Sequence, residues 1–229
     1  MNDNSLEDAF RRICSSDEPL TERLKEFSSA VCQFAPEFAA VYDDLVARLK
    51  SADAGSGAPR PGEPMPPFVL PNENNRVTQL AEFIGKRPVV ISFNRGHWCE
   101  YCQIELLALQ SALHEFAQRD ALVFSIMPEF QPRRLGLELN DTIQLLCDAD
   151  NGYALDVGLA IWLGDEFRDL YLKHGIELQQ YNRSESWFLP IPATFVVGRD
   201  GLIADRFVDP DFRHRMDIDA ILSALDKAS

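Results

Sequence analysis

Cys99 and Cys102, in the stretch Trp98-Cys99-Glu100-Tyr101-Cys102, are the residues of this chain best placed to do chemistry. Residues three apart share one face of a helix. At that spacing a second sulfur can attack a mixed disulfide formed at the first, so the pair reads as a dithiol that cycles with its disulfide. Directly upstream, Pro88-Val89-Val90-Ile91-Ser92-Phe93 is an apolar run of strand length, and Asn94 to Trp98 make a turn. Leu106, Leu109, Leu113 and Phe116 then recur at helical spacing. Cys99 is therefore expected to open a helix over 99–118, where unpaired N–H groups and the helix macrodipole favour a thiolate. This predicts Cys99 as the nucleophile and Cys102 as the shielded resolving thiol.

The same spacing also serves zinc, but a four-thiolate site needs a second cysteine pair, and Cys14, Cys32 and Cys147 are scattered singly. They read as free, partly buried thiols, and no metal is expected. No glycine-rich phosphate loop is present, so no nucleotide cofactor is implied. Trp98 could flank the sulfurs, and Trp187 could either do the same or pack in the core. His97 could stabilise a thiolate or shuttle a proton; the alternative is an exposed turn residue. Glu100 places a like charge beside the proposed nucleophile, which should raise the thiol pKa modestly.

The 229 residues carry a formal net charge of −14 and a pI near 4.7. Such an acidic surface opposes binding to nucleic acid or an anionic membrane. No apolar stretch approaches the roughly 20 residues of a membrane span. Met1-Asn2-Asp3-Asn4 lacks the basic and apolar regions of a signal peptide, so a cytoplasmic location is expected.

Residues 1–50 read as a helical extension, with Leu20, Leu24, Phe27, Val31 and Phe34 on one face and Phe38, Val41, Tyr42, Leu45, Val46 and Leu49 on another after Pro36. These stripes must be covered either by the rest of the chain or by a second copy in a homodimer. Residues 51–67, dense in Gly and Pro, read as a linker, and 68–229 as the main domain. There, strands at 89–93, 121–126 and 143–147 alternate with helices at 99–118, within 131–140 and around 151–159. A hairpin at 193–208 turns on Gly198-Arg199-Asp200-Gly201, and a last helix is expected over 217–225. The aromatic stretch 160–190 is expected to form a short helix and a cover over the dithiol. An α/β fold with a central mixed sheet and a dithiol at the carboxyl end of an inner strand is the thioredoxin-like arrangement.

From Pro61 to Val208 the chain resembles the AhpC/TSA-type peroxiredoxin-like branch of that superfamily. The resemblance lies in Pro61-Gly62-Glu63-Pro64, Pro67-Phe68-Val69-Leu70-Pro71, the stretch from Val89 to Cys102 and Ser186-Trp187-Phe188-Leu189-Pro190-Ile191-Pro192-Ala193-Thr194-Phe195. It implies that Pro192 is a cis-proline facing the dithiol and that Ile191 offers backbone groups to a substrate peptide. Typical peroxiredoxins carry a Thr three residues before the reactive Cys, a Pro four residues before that and a distant Arg. Counted from Cys99, Gly96 and Ser92 stand at the first two positions, and Arg95 is a possible substitute for the Arg. Glu100 replaces the Pro that related sequences place between the cysteines.

The combined reading is a thiol-disulfide oxidoreductase acting on protein or small-molecule disulfides and recharged by a cellular thiol reductant. The first alternative is a thiol peroxidase in which a Cys99 sulfenic acid condenses with Cys102. The second, from another class, is a redox-regulated binding or scaffold protein.

Overall fold

The computed structural model describes residues 4–130 and 143–228; the helix expected within 131–140 lies outside them. Three N-terminal helices, α1 (Leu6–Cys14), α2 (Leu20–Phe34) and α3 (Pro36–Ser51), precede the first strands, β1 (Val69–Pro71) and β2 (Val77–Gln79). Then follow β3 (Val89–Phe93), α4 (Glu100–Ser111), α5 (Leu113–Gln118), β4 (Leu122–Met127) and β5 (Ile143–Cys147). The chain continues through α6 (Gly152–Asp156), β6 (Ala160–Trp162), α7 (Asp165–Lys173), α8 (Leu178–Asn182) and β7 (Phe188–Pro190). It ends with β8 (Ala193–Val197), β9 (Ile203–Val208) and α9 (Ile218–Lys227). The single helix expected over 99–118 is two, broken at Ala112.

The central sheet has five strands in the order β5-β4-β3-β8-β9. Strands β3, β4 and β5 run parallel, while β8 and β9 form the antiparallel edge hairpin. Alternation along β3 sorts its side chains between two faces. Val89, Ile91 and Phe93 join the larger core, and Val90 joins Leu109, Phe116, Ile221 and Leu225 on the face covered by α4, α5 and α9. Ser92 shares the face of Val90 and pairs in register with Ser125 on one side and Thr194 on the other. A polar row thus crosses the buried sheet beneath α4.

Helix α4 is buried on more than the stripe visible in the sequence. Besides Leu106 and Leu109 it buries Tyr101, Cys102, Ile104 and Glu105, because α1 and α2 lie over its outer face. Phe27 of α2 meets Tyr101 edge-on at 4.9 Å between ring centres, and the Ser28 and Tyr101 hydroxyls lie 3.3 Å apart. Burying a side chain the size of Phe27 contributes on the order of 1.5–3 kcal/mol, which is what holds the extension in place. The N-terminal helices are therefore covered by the rest of their own chain. The Gly- and Pro-rich stretch is strapped to the sheet edge as well, with Gly62 N–H donating to the Ile203 carbonyl at 2.8 Å and Met65 N–H to the Gly201 carbonyl at 3.1 Å. Among the described residues no helix is long and apolar enough to cross a membrane.

Candidate active site

After β3, Asn94 makes one further sheet bond, its N–H donating to the Ile126 carbonyl at 2.8 Å. Gly96 then turns the backbone with φ +140°. A side chain is excluded there, because a Cβ would lie 2.3 Å from Trp98 Nε1 and 2.7 Å from Trp98 Cδ1. His97 is tied to Glu129, a buried carboxylate that accepts from the His97 N–H at 2.8 Å and lies against the ring Nδ1. Gln103 Nε2 adds a bond to the His97 carbonyl at 2.6 Å. His97 is thus half-buried and engaged, neither an open turn residue nor a partner of sulfur in the hydrogen-bond geometry.

Cys99 is the N-cap of α4, with extended backbone, and Cys102 lies inside the first turn. Both are free thiols, 3% and 0% exposed. The groups able to stabilise a thiolate converge on Cys102. Its Sγ accepts from the Arg95 N–H at 3.4 Å and from Arg215 Nη2 at 3.5 Å. Burial pushes the Cys102 thiol up, but the hydrogen bond from Cys99 and the charges of Arg215 and Arg95 more than offset it, leaving the pKa lowered to about 6. Burial, together with the hydrogen bond and charge of Cys102, drives Cys99 well above the ordinary thiol value. The sequence assigned the low-pKa thiol to Cys99 from the helix dipole alone. Desolvation outweighs that dipole at Cys99, and the Arg215 guanidinium bonds the other sulfur.

Arg215, in the loop before α9, is fixed by its own network. Nε donates to Glu105 Oε2 at 2.5 Å, and Nη1 donates to the Phe212 carbonyl and, at 2.7 Å, to the His214 carbonyl. Glu105 Oε1 accepts from Ser92 Oγ at 2.8 Å, and Asn94 Nδ2 bridges Ser92 Oγ at 2.9 Å and Ser125 Oγ at 3.1 Å. The polar row on the sheet thereby anchors the arginine that reaches Cys102.

Arg95 is held differently. Its guanidinium lies over Phe212 at 4.1 Å, Trp98 at 5.2 Å and Phe167 at 5.4 Å. Nη2 donates to the Tyr171 hydroxyl at 3.1 Å, which itself lies 3.0 Å from the Tyr42 hydroxyl. Nε has no hydrogen-bond partner, and among the described residues no carboxylate pairs with it. Trp98 completes this aromatic wall, edge-on to Tyr171 at 5.8 Å and tilted against Tyr181 at 6.2 Å. The segment 160–190 thus forms a cover, with α7 and α8 lying over the turn that carries Trp98.

Four expectations fare otherwise. Ile191–Pro192 is trans, since no described peptide bond is cis. The Ile191 N–H already donates to the Leu159 carbonyl at 2.8 Å and its side chain is buried, so it is not open to a substrate strand. Trp187 is half-buried beside Leu172 and Leu178, lining a cavity of about 250 Å³ that contains neither cysteine. Glu100 is half-buried rather than solvated, and burial raises its carboxyl pKa against the pull of Arg95. Cys14 and Cys147 are partly or fully buried free thiols as expected, whereas Cys32 is exposed. Sequence reasoning missed Arg215, Glu105, Tyr171 and Glu129, none of which forms a motif with the cysteines.

A thioredoxin-like sheet with a buried dithiol beyond the carboxyl end of an inner parallel strand defines a thiol oxidoreductase. The chain belongs to the AhpC/TSA family, whose model matches residues 61–206, and it is a peroxiredoxin-like member of that class. Its fold is similar to peroxidoxin BcpB of Mycobacterium tuberculosis, at 19% identity and a TM-score of 0.55 over 75% of this chain and 99% of the other. It is likewise similar to the reduced 2-Cys peroxiredoxin of Plasmodium vivax, at 20% identity and a TM-score of 0.54 over 73% and 80%. Peroxiredoxin 6 of Arenicola marina is similar at 15% identity, with a TM-score of 0.55 over 72% and 71%. No curated protein matches the chain.

Proposed function

We propose that this protein is a thiol peroxidase in which Cys102 attacks the peroxide and Cys99 resolves. The observation that carries the reading is the placement of Cys102 Sγ between the Arg95 N–H and the Arg215 guanidinium in a site closed to bulk water. The Cys102 thiolate attacks one peroxide oxygen and the O–O bond breaks. The other oxygen takes a proton and leaves as water or an alcohol, and the sulfur is left as a sulfenic acid. The Cys99 thiol then attacks that sulfur, the S–S bond forms, and water departs. An external thiol reductant returns two electrons through disulfide exchange. Donors fixed around the reacting sulfur and the departing oxygen contribute in the way of any preorganised anion site.

Burial favours peroxide reduction over exchange with folded protein disulfides as the oxidative half of the cycle. A peroxide is small enough to reach a sulfur under the aromatic cover, whereas a protein disulfide must bring its own backbone alongside. Rapid-mixing oxidation of the reduced protein by hydrogen peroxide, with dimedone trapping, tests the assignment. Cys99→Ser is expected to accumulate a trappable sulfenic acid at position 102. Cys102→Ser is expected to lose fast peroxide reduction altogether. A sulfenic acid that forms at Cys99 in Cys102→Ser at the wild-type rate overturns it.

A further inference from the structure

The turn between β3 and α4 carries the amide that bonds Cys102, yet its own residues do little to fix its aim. Gly96, at its centre, has no side chain to restrain it and sits at φ +140°. Next to it, the Arg95 N–H donates to Cys102 Sγ at 3.4 Å. Such a bond weakens steeply when the donor swings off line, so groups outside the turn must hold its peptide planes. The N–H groups along the segment show where those holders lie. Asn94 N–H goes to the Ile126 carbonyl of β4 at 2.8 Å, and His97 N–H goes to Glu129 Oε2 at 2.8 Å.

Glu129 is the unusual one. It lies just beyond the end of β4 and is 2% exposed, and its carboxylate grips a single residue twice, at the His97 N–H and at the ring Nδ1. The same Oε2 lies 3.2 Å from the point where a Gly96 Cβ would stand, so the carboxylate rests on the turn itself. Among the described residues no lysine or arginine pairs with Glu129. A buried carboxylate is costly unless hydrogen-bonded, and here both of its bonds go to His97. From the opposite side Gln103 of α4 donates to the His97 carbonyl at 2.6 Å. His97 is thereby the joint between the strand end that carries the Arg95 N–H and the helix that carries Cys102.

We propose that Glu129 is a positioning residue for the reactive sulfur: it clamps His97 so that the Arg95 N–H stays aimed at Cys102 Sγ, and Gln103 closes the clamp from α4. The His97 ring serves this clamp rather than the sulfur, supplying the second donor that keeps the buried carboxylate satisfied. A hydrogen bond to a thiolate favours the charged form, so slack in the clamp makes Cys102 harder to ionise. A carboxylate that acted only as a nearby negative charge would have the opposite sign, since its removal makes a thiolate easier to form.

The inference rests on Cys102 being the sulfur that ionises, and its test uses no peroxide, so the clamp and the peroxide chemistry can fail separately. Thiolate absorbance is titrated in the Cys99→Ser background, with the Cys99→Ser/Cys102→Ser double variant as the blank. Glu129→Ala is expected to move the Cys102 titration up by about one pKa unit or more, the scale of a lost hydrogen bond to a charged group. Glu129→Gln keeps an oxygen for the His97 N–H and an amide for the ring, and is expected to restore most of the original position. Gln103→Ala, at a half-buried site, is expected to shift the titration in the same direction by less, and decides the matter if Glu129→Ala does not fold. A Glu129→Ala titration that stays put or moves down overturns the proposal, as does a Glu129→Gln shift as large as that of the alanine variant. If Cys102 does not titrate in Cys99→Ser itself, the thiolate assignment and the clamp fall together. Slow peroxide reduction alongside the expected titration shifts overturns the peroxidase reading alone and leaves the clamp standing.

Discussion

Two buried arginines lie against the dithiol, and their surroundings differ in kind. Arg215 is saturated: a carboxylate on Nε, backbone carbonyls on Nη1 and a thiol on Nη2. Arg95 sits among aromatic faces with one phenol hydroxyl and an idle Nε. The first belongs to a polar chain that runs from the sheet through Ser92 and Glu105 and would be nearly satisfied with any sulfur chemistry above it. The second is held by three ring faces and one hydroxyl. A buried cation that is fully paired fixes geometry through its hydrogen bonds, whereas one held by ring faces depends on the aromatic packing around it.

The contrast breaks most visibly at Glu105. Glu105→Gln leaves Arg215 as a buried cation without its carboxylate and is expected to cost about 3–5 kcal/mol of stability, the usual loss when one partner of a buried pair is removed. Urea unfolding of the reduced protein measures it, and a loss below about 1 kcal/mol would place Arg215 in the class of weak surface pairs. A smaller effect separates the sulfurs by pH. Thiolate absorbance of the reduced protein is expected to rise through about pH 6, and to do so in Cys99→Ser but not in Cys102→Ser. Since the folded pKa of Cys102 lies below the value of about 8.5 for an unfolded thiol, its contribution to stability is full above that value and is lost as pH falls through about 6. Cys99, shifted upward, acts oppositely and lowers stability at alkaline pH, so the single-thiol variants are needed to read either effect. The smallest change is Glu100→Gln. Removing a half-buried like charge is expected to lower the Cys102 pKa by less than about one unit. An upward shift in the same absorbance titration would mean that Glu100 acts chiefly through Arg95.

Much of the scaffold is legible in the sequence because its signals are local. The run at 89–93, apolar but for Ser92, reads as an inner strand, and the helices after it are marked by the spacing of Leu106, Leu109 and Phe116. The pull of Arg215 on Cys102 was not legible, for a physical reason. The helix dipole acts within one turn and can be read from neighbours, but Arg215 reaches Cys102 from 113 positions away. Glu105, in a helix, has no partner in its local sequence; Arg215, in the loop before α9, supplies it from far along the chain. Once Cys102 is taken as the reactive sulfur, the family pattern falls into a different register. The position three before it is Cys99 and the one four before that is Arg95, so neither the Thr nor the Pro of the pattern is present in that register either. The cis-proline expectation came from resemblance alone and had no residue-level signal behind it.

Gly96 constrains how this sequence can change over time. With φ +140° and Trp98 Nε1 where a Cβ would go, every replacement must both strain the backbone and displace the indole that walls Arg95. Single substitutions at this position therefore lead downhill in fitness whichever residue is offered, and the turn is a fixed point around which the neighbouring positions must vary. A lineage could exchange Trp98 or re-route the loop only by accepting both changes together, so the glycine and the tryptophan are expected to be inherited as one unit.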